Sequence, residues 1–105
     1  MNKKNPMELL KQFAPEFAQN QMEEKTLIFE NEKYQKVPNK YKILIGIGVA
    51  ASLGSDTCTQ MWTNMAKQND ITNEEIVEAM QVARYMKQAT VNDTIANSLR
   101  VLKGE

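Results

Sequence analysis

Thr72-Asn-Glu-Glu75 constrains this chain more than any other stretch. A threonine hydroxyl and a glutamate carboxylate three residues apart satisfy each other's end amides, a capping box that starts a helix. Ile76, Val77, Met80 and Ala83/Arg84 follow at helical spacing. Similar punctuation recurs along the chain. Ser55 suits the N-cap of a helix reaching about Asn69. Gly54 just before it supplies a stop for a helix that opens near Pro38-Asn39 and runs to about Leu53. Upstream, Leu9, Leu10, Phe13 and Ala14 share one helical face. Pro15 lacks an amide hydrogen and fits the first turn of a second helix, bearing Phe17, Met22, Leu27 and Ile28 and ending before Asn31. Gln35 to Pro38 reads as a connector. Thr90-Val-Asn-Asp93 resembles a second capping box, opening a last helix with Ile95, Leu99 and Leu102. No Asn-Gly or Asp-Gly hairpin signal, repeat or low-complexity tract interrupts the pattern. The expected fold is all-α, a bundle of about six helices in a single domain over residues 1–105.

One stretch pulls the other way. Lys42-Ile-Leu-Ile-Gly-Ile-Gly-Val-Ala-Ala51 is rich in β-branched residues and spells G-x-G-x-x-A from Gly46 to Ala51. That is a weak form of the dinucleotide-binding turn. It needs a preceding strand, a following helix and a second strand ending in an acid. Asp70 lies near the required offset, but in a loop between two helix signals, and no second strand pattern exists. The preferred reading makes Gly46 and Gly48 points of close helix–helix contact in a buried helix.

Composition removes several functions. Thirteen basic and thirteen acidic residues cancel, with no basic block, so neither nucleic acid nor an anionic membrane surface is an expected partner. The apolar run from Ile43 to Leu53 falls far short of the roughly 20 residues of a membrane span. The N-terminal segment through Phe17 has no continuous signal-peptide core, and cytoplasmic is the expected location. With one cysteine and no histidine, zinc of the usual kind and a serine–histidine–acid triad are excluded on ligand and base count. No cofactor is expected. A chain this short buries a modest core, and self-association is one way to enlarge it.

Cys58 is the one strong nucleophile available near neutral pH. With Ser55 as N-cap it falls at the third helical position, where free amides and the positive dipole end favour a thiolate, while Asp56 opposes it. Free cysteine is also among the most buried residue types, so a packing role stands beside the reactive one. Trp62 sits one turn beyond Cys58, as core, interface or substrate contact. Seven methionines, among them Met61, Met65, Met80 and Met86, suit an adaptable core or subunit contact. Glu74, Glu75 and Glu78 read as a solvated face with a cap.

Taken in order, Val37-Pro-Asn-Lys-Tyr-Lys-Ile-Leu-Ile, the small-residue helix to Gly54, Ser55-Asp-Thr-Cys58-Thr-Gln-Met-Trp62 and Ile71-Thr-Asn-Glu-Glu-Ile-Val-Glu-Ala resemble the carboxymuconolactone decarboxylase family, including its alkylhydroperoxidase D (AhpD)-like proteins. The resemblance covers residues 37 to about 100 and implies an all-helical fold that assembles as a dimer, trimer or hexamer. AhpD-like members carry a glutamate followed by C-x-x-C-x-x-x-H and act as thiol peroxidases. By the resemblance, the glutamate position falls on Ile43, the first cysteine on Ser55, the second on Cys58 and the histidine on Trp62. Cys58 alone is kept, at the position that attacks peroxide. Lys87-Gln-Ala-Thr-Val-Asn also replaces the family's Gly- and Pro-rich turn.

Those departures have chemical consequences. Without a thiol at Ser55, an oxidised Cys58 needs an external thiol reductant. Without histidine or glutamate, no proton relay is in place. The leading expectation is a single-cysteine thiol peroxidase acting through Cys58, with Ser55 and Trp62 beside the substrate. A catalytically lapsed oligomer that binds a small molecule or serves as a scaffold is the alternative. A decarboxylase of a small organic acid is the third, and would need Arg84 or Lys42 as a cationic anchor.

Overall fold

The computed structural model describes residues 4–105. The first three residues, at the head of the segment read as lacking a signal-peptide core, lie outside the described part. Five α-helices and one short 3₁₀ turn account for most of the chain, and the described residues include no strand. The helices are α1 (Pro6–Phe13), α2 (Pro15–Glu30), α3 (Asn39–Ser52), α4 (Asp56–Gln68) and α5 (Asn73–Leu102). The all-α expectation holds, with a helix count close to six. The chain divides into two compact units, Met1–Asn39 and Lys40–Glu105.

In the first unit, Asn5 caps α1 through a reciprocal box. Its side chain accepts from the Glu8 amide at 2.8 Å, and the Glu8 carboxylate accepts from the Asn5 amide at 3.2 Å. Ala14 closes α1 and Pro15 opens α2 without a linker, because proline gives up an amide that the first turn leaves unpaired anyway. The far end of α2 is finished by side chains. The Gln35 amide donates to the Ile28 carbonyl at 3.0 Å, and Asn39 donates to the Phe29 carbonyl at 2.9 Å. Two carbonyls that a helix end would leave orphaned are thereby satisfied. The 3₁₀ turn Glu32–Tyr34 leads into the connector.

The second unit is built on α3, α4 and α5. α3 ends in a Schellman turn, in which Gly54 takes φ +75° and the Ser55 amide reaches back to the Ala50 carbonyl at 3.0 Å. α4 ends the same way on a less suitable residue: Asp70 takes φ +60°, and the Ile71 amide donates to the Ala66 carbonyl at 3.0 Å. Ile71 is thereby turned inward and buried. Ile43, Ile47 and Ala50 from α3, Ala66 from α4, and Ile76 and Ala83 from α5 are the other buried apolar residues of this unit. Ile47 and Ile71 are the two largest fully buried side chains, so the core is small.

Two expectations are corrected here. α3 is helical throughout Lys42–Ala51, which disposes of the dinucleotide-binding reading, yet it is not a buried helix. One face is covered while Ile45, Val49 and Leu53 stay exposed. The break before Thr90 is also absent, for α5 runs on without interruption for 30 residues. Lys87, Gln88 and Ala89 favour helix, and no glycine or proline precedes Thr90 to turn the chain out. The Thr90 hydroxyl therefore donates back to the Lys87 carbonyl at 2.6 Å instead of capping a new helix.

Candidate functional site

The turn that ends α3 delivers Ser55 as the N-cap of α4, and Ser55 sets the position of Cys58. Its hydroxyl oxygen accepts from the Cys58 amide at 3.2 Å, which fixes Cys58 at the third position of the helix. The Thr59 hydroxyl donates to the Ser55 carbonyl at 2.7 Å and tightens the same turn. Cys58 is free and exposed. Asp56 shares its turn.

One turn further on, Trp62 is half-buried and its indole lies over Gly46 of α3. A Cβ built at Gly46 would meet three atoms of the indole at 2.5–2.7 Å. The glycine is thus required by a ring lying flat on the helix backbone, which is the close contact expected of it. Gly48 serves a looser approach, since a Cβ there would lie 3.8 Å from the Ala79 carbonyl oxygen of α5.

The position matching the family's glutamate holds Ile43, which is buried, so no carboxylate enters the site from there. Glu75, in the first turn of α5, is committed elsewhere. It accepts from the Thr72 amide and hydroxyl, each at 3.0 Å, and pairs with the Lys40 ammonium at 2.5 Å. The Lys40 hydrogen bond, followed by those of Thr72, lowers its pKa to about 2, and the same contact raises that of Lys40. Among the described residues no group of histidine, cysteine, aspartate and glutamate side chains is gathered to hold a metal ion. Among the described residues no helix is long and apolar enough to cross a membrane.

A second feature lies apart from Cys58. Ala51 and Ser52 at the end of α3, with Gln81, Arg84, Lys87 and Gln88 of α5, line a groove of about 660 Å³. The Arg84 guanidinium is steadied by the Gln81 side-chain oxygen at 2.8 Å, and no acidic side chain lines the groove. Sequence reasoning named Arg84 but not Lys87, and their convergence with Ser52 depends on how α3 meets α5. Lys42, the other anchor considered, is half-buried on α3 and does not line this groove. The Gly46–Trp62 pairing was legible as a need for closeness, though not as to which residue approaches.

No curated protein and no solved structure matches the chain. The family profile described as Carboxymuconolactone decarboxylase family matches residues 15–96. That match takes in α2, α3, the cysteine helix and most of α5. The chain belongs to the carboxymuconolactone decarboxylase family.

Proposed function

We propose that this protein is an AhpD-like single-cysteine thiol peroxidase that uses Cys58 and an external thiol. The observation that carries the reading is the exposed thiol of Cys58 in the first turn of α4, at the attacking position of the family motif. The Cys58 thiolate attacks the terminal peroxide oxygen, the O–O bond breaks, and the departing alkoxide takes a proton from water. Cys58 is left as a sulfenic acid. One external thiol then displaces water to give a mixed disulfide. A second releases Cys58 and leaves as the oxidised disulfide. Ser55 and Trp62 flank the attacking sulfur in sequence and are proposed to contact the peroxide. A pool of reduced thiols fits a cytoplasmic location, and the small core supports a homo-oligomer.

The test is to trap sulfenic acid on the folded protein after dilute peroxide, with Cys58→Ser as the blank. One adduct per chain, lost on adding a thiol, supports the proposal. A thiol that alkylates in the folded state but yields no sulfenate defeats it.

A second reading, binding of a small organic acid without peroxide chemistry, is favoured by the Arg84–Lys87 groove. Two cations one turn apart with no acid facing them suit a carboxylate. As a decarboxylase site the groove supplies an anchor but no histidine to deliver a proton. Saturable carboxylate binding lost in Arg84→Gln, with no sulfenate at Cys58, would shift the assignment to it.

A further inference from the structure

We draw no further inference here: the strongest candidate, the groove that Ser52 at the end of α3 forms with Gln81, Arg84, Lys87 and Gln88 of α5, belongs to the carboxylate-binding reading already described, and nothing in the structure shows what covers it.

Discussion

At Gly46 a single hydrogen separates a packed site from an overfilled one. The Trp62 indole occupies the space a Cβ would need, and both the helix backbone beneath it and the ring above are stiff. Replacing Gly46 by alanine gains about 1 kcal/mol of helix propensity. Overpacking of this kind costs about 1–3 kcal/mol. Because the approach is to rigid ring atoms and not to a flexible chain end, we expect the cost to win. Gly46→Ala should lower the urea midpoint and shift the fluorescence of Trp62, the one tryptophan in the chain. An unchanged midpoint would mean that the ring swings away freely. Cys58 shows what residue type and spacing leave open. Its place in the first turn of α4 was legible from Ser55, because a cap acts over three residues. Its exposure depends on which face of α4 is turned inward, and no local pattern specified that.

At the scale of elements, the starts of helices were the most legible features. Ser55 and Thr72 both cap where expected, since each acts on amides a few residues ahead. Thr90 carries the same motif and does not cap, because a capping box works only where the backbone is already leaving the helix. Glu75 has a longer reach. Besides completing its cap it ties the first turn of α5 to Lys40 at the start of α3, a pairing that no spacing rule announces. The carboxyl has a pKa of about 2 in the folded chain against an ordinary 4.5. Its contribution is therefore fully present above pH 4.5 and is lost as the pH falls through that window toward 2. The pair is open to solvent, so the effect is small and shrinks with added salt. Urea midpoints measured from pH 6 downward should fall through the window, and Glu75→Gln should flatten that limb while leaving the rest of the profile in place. A variant with the wild-type acid limb would assign the loss to other carboxylates.

For the whole molecule, the legible part was the order of helices and the family. The hidden part was how much of the apolar pattern goes uncovered. Ile45, Val49 and Leu53 look like core in the sequence, as do Ile95 and Leu99, because an apolar residue awaiting a partner has the same signature as one already buried. Ile47 and Ile71 are the two largest fully buried side chains, beside many exposed aliphatic ones, so residue type did not tell covered positions from uncovered ones.

The unbroken run of α5 through Thr90 carries a consequence for backbone opening. Past Ala83 the helix is held by its own hydrogen bonds with no buried side chain, and most helical stability in proteins comes from packing of an apolar face. Its amide hydrogens should therefore exchange with solvent far sooner than those of the first three turns, which are anchored by Ile76 and Ala83. Burial of Val91, Ile95 and Leu99 against another copy, as in the homo-oligomer proposed above, would slow that exchange, so protection from Gln88 to Leu102 should rise with protein concentration while protection near Ile76 stays constant. Equal rates in dilute and concentrated samples would contradict this. The C-terminal half of the helix is thus the segment whose order would report burial of its apolar stripe.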